Sequence, residues 1–214
     1  MLLVVLAACG PGPAELASGQ VTRHYADGSR WVEGELTAGL PGGSWRTWYE
    51  DGQPKSVDTY LDGRLEGPSS AWFADGRPRF EGAYRDGKPD GLWKRWYKSG
   101  QPLSEGAFAT GVRVGPWTNW FPGGTVQIEA VYTGTGGDGS FVHYHENGNT
   151  KSEGALVDGL RDGPWTEWFE DGTKARALTF RAGKFDGTCA FYKPDGSLDL
   201  KRSGTYADGK LVTE

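Results

Sequence analysis

Sulfur and imidazole are scarce in this chain: 214 residues include two cysteines, one methionine and three histidines. Cys9 and Cys189 stand far apart, so the sequence offers neither a disulfide framework nor the paired spacing of a zinc site. Aliphatic residues are also few. Hydrophobic residues reach only 36%, and aromatics alone supply 13% of the chain, so burial has to come largely from rings. Positive charge is not in excess: 23 Lys plus Arg stand against 28 Asp plus Glu, with net charge −5 and no basic tract, which argues against a nucleic-acid partner. No apolar run approaches the roughly 20 residues of a membrane-spanning helix. No apolar stripe follows the 3.6-residue period either, so helix content is expected to be near zero. A nucleophile triad, a phosphate loop and a dinucleotide motif are all missing, and no catalytic residue, cofactor or metal is expected.

Glycine is what the chain has in plenty: 35 residues, more than twice the usual share of about 7%. Gly28, Gly52, Gly76, Gly100, Gly124, Gly148, Gly172 and Gly196 form an unbroken row with a step of 24. Gly43, Gly67, Gly91, Gly115, Gly139, Gly163 and Gly187 keep the same step. A third row, Gly39, Gly63, Gly87, Gly111, Gly159 and Gly183, is broken only at Thr135. Such a period is the signature of a repeat architecture in which glycine acts as punctuation.

Four residues before the first glycine row stand Trp48, Trp72, Trp96, Trp120, Tyr144, Trp168 and Tyr192, with His24 in the opening copy. Tyr25, Tyr49, Phe73, Tyr97, Phe121 and Phe169 follow one residue later, and Leu36, Tyr60, Tyr84, Phe108, Tyr132, Leu156 and Phe180 form a further row. The last copy gains two residues, so Tyr206 takes the final place. Each unit reads as strand, Asp-Gly-type turn, strand and Gly-bounded loop, with Asp51-Gly52, Asp75-Gly76, Asn147-Gly148 and Asp171-Gly172 as two-residue turns.

The stretch Gly43 to Gly52, completed by Thr59 to Gly67, resembles the bacterial variant of the MORN repeat, and the resemblance extends over residues 20–210. It implies an all-β fold: an elongated single-layer antiparallel sheet of about eight consecutive 24-residue hairpins. Many bacterial members carry an antitoxin label. Choline-binding cell-wall repeats are similar in their Trp-Tyr and Gly pattern but have a shorter period.

A two-residue turn at Asp51-Gly52 sets Tyr49 against Pro54, Trp48 against Lys55 and Trp45 against Asp58. One face then collects the Trp45, Tyr49, Ser56 and Tyr60 rows. On it the small Gly82, Gly106, Ala130 and Gly154 lie opposite Ser69, Trp93, Trp117 and Phe141. The other face carries the Trp48 row beside Lys55, Arg79 and Lys151, with Glu81, Glu105, Glu129 and Glu153 nearby, and is expected to be wet. Eight such hairpins would make a twisted ribbon roughly 75 Å long with two free edges, and the irregular ends, at His24 and at Lys201-Arg202-Ser203, read as caps.

The row Trp48, Trp72, Trp96, Trp120, Tyr144, Trp168 and Tyr192 is the candidate binding face, because regularly spaced rings stack sugars, cage ammonium groups or anchor a protein partner. Its bland alternative is packing beneath Lys and Arg stems. His143 and His145 flank Tyr144 as a possible metal pair, but His145 holds the position of Tyr97 and Phe121 and reads more simply as a replacement ring. His24 likewise stands for an aromatic. The glutamate row recurs too regularly to build one catalytic pocket. The Asp-Gly rows lack the repeat of calcium-binding β-rolls, and Cys189 falls where Trp45, Trp93, Trp117 and Trp165 sit, as a small buried hydrophobe.

Residues 1–8 read as a short signal segment, and Leu6-Ala7-Ala8-Cys9 resembles the lipobox of bacterial lipoproteins. The resemblance makes Cys9 the lipid attachment, residues 9–19 a flexible tether and residues 20–214 the repeat domain, with Gly10 favouring the outer membrane of a diderm cell. The combined expectation is a non-enzymatic, lipid-anchored envelope protein that binds another protein. An antitoxin or immunity protein and a cell-wall glycan-binding module are the alternatives. Oligomeric state is left open by the sequence.

Overall fold

A computed structural model describes residues 17–134 and 137–212, and it is all-β. Eighteen strands, from β1 (Gly19–His24) to β18 (Lys210–Leu211), pair antiparallel in chain order within one open sheet. β15 (Lys184–Phe185) and β16 (Gly187–Phe191) are one strand interrupted at Asp186, and both pair with β14 (Lys174–Arg181). No helix among the described residues is long and apolar enough to cross a membrane.

Two kinds of turn alternate along the sheet, and their placement corrects the expected one. Between β4 (Pro54–Leu61) and β5 (Arg64–Trp72), Leu61 pairs with Arg64 around Asp62-Gly63. Asp62 has φ 47° and Gly63 φ 79°, so this is a two-residue type I′ turn, whose twist suits a hairpin. The Gly-bounded loop of the sequence reading is therefore the tight turn. Asp51-Gly52, expected to be the two-residue turn, instead belongs to the three-residue connection Glu50-Asp51-Gly52. The Gly52 amide donates to the Tyr49 carbonyl at 3.0 Å and the Tyr49 amide to the Gln53 carbonyl at 2.9 Å. Only Gly52 takes a positive φ there, while Asp51 Oδ1 accepts from the Gln53 amide at 3.0 Å.

The longer turn changes the register beside it. Trp45 faces Asp58 as expected, but Trp48 faces Pro54 rather than Lys55, and Tyr49 lies level with Gln53 rather than Pro54. Lys55 is the extra residue of a bulge, and the same shift recurs where Trp72 meets Pro78 and Trp96 meets Pro102. Beyond the type I′ turn a second bulge appears: Asp58 pairs with Ser69 but Tyr60 with Leu65, so β5 carries two additional residues around Gly67. Gly67 has φ 96°. Gly43, Gly91, Gly115 and Gly163 of the same row also take positive φ within a register shift, a conformation in which a Cβ is strained, whereas Gly139 pairs with Tyr132 without such a shift.

The core lies on the face of the Trp45 row. Ser69 faces Gly82, Trp93 faces Gly106, Trp117 faces Ala130 and Phe141 faces Gly154, in agreement with the expected register. Each glycine is also roofed by the indole of the next strand: Gly34 by Trp45, Gly82 by Trp93, Gly106 by Trp117 and Gly154 by Trp165. These indoles are buried, with Trp93 and Trp165 only 3% exposed. Rings from neighbouring repeats complete the layer edge to face, as in Tyr84 to Trp93 at 5.0 Å and Phe108 to Trp117 at 4.9 Å.

Three of these indole N–H groups find backbone partners, while that of Trp45 is buried without one. Trp93, Trp117 and Trp165 donate from Nε1 to the carbonyls of Ala83, Ala107 and Ala155 at 2.9 to 3.0 Å, beside the register shift of each strand pair. Cys189 is 1% exposed and packs with Leu178, as the small hydrophobe its position predicted. At the C-terminal end Arg202 lies over the Phe191 ring at 4.3 Å and the Tyr206 hydroxyl donates to the Arg202 carbonyl at 2.8 Å, so the irregular last copy does close the ring layer.

Candidate functional site

Strand alternation separates the candidate row from the core. Trp48 is three residues beyond Trp45 on β3 (Leu40–Trp48), so its side chain leaves from the opposite face. Trp48, Trp72, Trp96, Trp120, Tyr144, Trp168 and Tyr192 are all half-buried rather than exposed. Their shelter is visible in the first units. The Arg30 guanidinium lies over the Trp48 ring at 5.1 Å, and Trp48 and Trp72 bound a groove of about 380 Å³ that Arg46, Gln53, Pro54 and Val57 also line. Trp48 and Trp72 thus share an open groove, and the other five rings of the row are half-buried in the same way.

The strand ends are tied by a hydroxyl ladder that composition did not suggest. The Tyr25 hydroxyl donates to the Trp48 carbonyl at 2.8 Å, that of Tyr49 to Trp72 at 2.9 Å and that of Tyr97 to Trp120 at 2.8 Å. His145 continues it, its Nε2 lying 3.0 Å from the Trp168 carbonyl. His143 Nδ1 lies 3.1 Å from the Ser152 hydroxyl. The two imidazoles serve separate polar contacts, so His145 is a replacement for tyrosine in a repeated bond.

Charge is distributed around the row. Lys94 and Glu105 pair across strands at 3.4 Å. The Tyr144 hydroxyl donates to Glu129 Oε2 at 2.6 Å, and that bond, with burial and the carboxylates of Glu129 and Glu153, pushes the phenol pKa up to about 12. Arg46 and Pro54 were missed as parts of the groove. Pro54, Pro78 and Pro102 nonetheless recur at the repeat period directly opposite Trp48, Trp72 and Trp96, and Pro54 walls the groove. Cys9, the expected lipid attachment, lies outside the described residues.

Two units can be assigned to a known repeat type. Residues 41–62 and 89–109 match the MORN repeat variant. Each matched segment spans a three-residue connection with its flanking strands, and the second contains Trp93 and Trp96, one from each face. No curated protein matches the chain.

Proposed function

We propose that this chain is a non-enzymatic, protein-binding repeat scaffold held at the bacterial envelope by a lipid on Cys9, at the outer membrane in a diderm cell. The observation that carries this reading is the Trp48–Trp72 groove. Trp48 and Trp72 stand there on a face that the core does not use, partly sheltered and lined by Arg46 beside Pro54 and Val57. Aromatic anchors in partly desolvated pockets, bordered by charge, are the usual source of binding energy between proteins. Lys94 with Glu105 and the row of Glu81, Glu129 and Glu153 would set register and partner choice along the sheet.

The test is mild crosslinking and capture of the full-length chain from its own cells, beside a Trp72→Ala/Trp96→Ala variant, with the N-terminal peptide weighed in the same run. A stoichiometric protein partner that the variant loses, together with an acylated Cys9, is expected. A single cognate toxin would make the scaffold an antitoxin, and wall fragments without protein would replace the reading with glycan binding. An unmodified Met1 would overturn the envelope address.

A further inference from the structure

The geometry points to a binding site for a small aromatic carboxylate in the core-side hollow between Trp117 and Trp165. This is the opposite face from the proposed protein-binding row. The hollow lies in a unit that lacks the indole-over-glycine pair, as do the Asp58–Ser69 and Leu178–Cys189 units. Where Gly34, Gly82, Gly106 and Gly154 lie under indoles, this unit has Phe141 beside Ala130, and the smaller ring leaves about 190 Å³ between Trp117 and Trp165. The type I′ turn is also missing here. β10 (Val126–Tyr132) and β11 (Gly139–Tyr144) are joined by a longer loop, closed by the Thr133 amide donating to the Asp138 carbonyl at 3.0 Å. A second hollow of about 340 Å³ shares Arg113, Tyr132, Phe141 and Leu156 with the first.

The walls select the ligand. Trp117, Trp165, Tyr132, Phe141 and Ile128 offer ring edges and apolar surface to a flat aromatic group. Arg113, Asn119 and His143 supply the polar contacts. Arg113 donates to the Tyr132 hydroxyl from one nitrogen at 3.0 Å, and its guanidinium has further donors in the fork that matches a carboxylate. No Asp or Glu among the described residues lines either hollow, although the protein carries net charge −5.

A cationic ligand is disfavoured on the same evidence. Arg113 already lies over Trp117 at 4.7 Å and Arg161 over Trp165 at 4.4 Å, so the ring faces that would cage an ammonium group are occupied by cations. Burial, reinforced by Lys151 and Arg161, also holds the His143 imidazole below its ordinary pKa, as expected in positive surroundings.

The experiment is titration of the ¹⁵N-labelled full chain with benzoate, and separately with benzyltrimethylammonium, following the indole N–H signals. Benzoate is expected to shift Trp117 and Trp165 saturably and to leave Trp45 in place, while the cation shifts none of them. Ala130→Gly/Phe141→Trp, which fills the hollow with the arrangement of the other units, should weaken benzoate roughly tenfold or more. Arg113→Met, at an exposed position, should do the same with the fold retained, and it decides the matter if the double variant does not fold. Absence of saturable shifts, equal affinity in Arg113→Met, or tighter binding of the cation would overturn the assignment.

Discussion

Gly82 lies directly beneath the indole of Trp93: a methyl group on its Cα would stand 2.3 Å from the ring carbons. The pair is one case of a volume relation that runs through the sheet. Gly34, Gly106 and Gly154 sit under Trp45, Trp117 and Trp165, and where the first partner grows, the second shrinks, to Ala130 with Phe141, Asp58 with Ser69 and Leu178 with Cys189. Ser69 is 1% exposed and its hydroxyl bonds Asp58, so even the polar version of the pair is internally satisfied.

Gly82→Ala is therefore expected to destabilise the protein by about 1–3 kcal/mol through overpacking. Combined with Trp93→Phe, the pairing already present at Ala130 and Phe141, it should cost clearly less than the two single changes together. Urea denaturation of the four proteins measures the coupling, and simple additivity would refute the volume relation.

The hydroxyl ladder makes two opposite predictions. Tyr49→Phe removes the bond to the Trp72 carbonyl and should cost about 0.5–1.5 kcal/mol. Phe73 occupies the next rung with no hydroxyl, so Phe73→Tyr should gain up to about 1 kcal/mol if its oxygen reaches the Trp96 carbonyl. Thermal unfolding midpoints of both variants are the readout.

Tyr144 should ionise near pH 12, and Glu129→Gln should bring it back toward the ordinary value of 10.0. Because the folded-state value is raised, the bond's contribution to stability is fully present below about pH 10 and is lost as pH rises toward 12. An ultraviolet difference titration between the two proteins, in which the remaining tyrosines of the nine cancel, isolates the Tyr144 phenolate and tests it.

His143 should remain neutral at a pH where a free imidazole, with ordinary value 6.5, is half charged. Its depressed value means that the unfolded chain binds the proton first, so stability falls as pH drops through and below 6.5. His143→Asn should flatten that part of the stability profile, and a profile unchanged by the substitution would count against the assignment.

The repeat explains why so much of this fold was legible. A 24-residue period in three glycine rows marks the turns and a bulge in the regular units, the β10–β11 connection excepted, and the ring rows between them specify strands with a ring-bearing face. The Ser69 to Gly82 and Trp93 to Gly106 pairings followed from that pattern alone. The candidate row was placed on its correct face by alternation, but its half-burial was not visible, because shelter comes from Arg30 and from Pro54 and its equivalents on neighbouring strands.

Turn length was the point at which local signals became ambiguous. Asp51-Gly52 and Asp62-Gly63 are the same dipeptide, yet one ends a three-residue connection and the other is a complete type I′ turn. The difference depends on the bulges at Lys55 and Gly67, which restore the register that the turns alone would displace. Periodicity by itself determined the strands, the repeat unit and the glycine-to-ring complementarity, since these are encoded within each 24-residue copy. Only the tertiary structure decided which residues face one another beside the turns, how deeply the Trp48 row is sheltered and where the Phe141 hollow opens, because each of these depends on backbone and side chains contributed by adjacent copies.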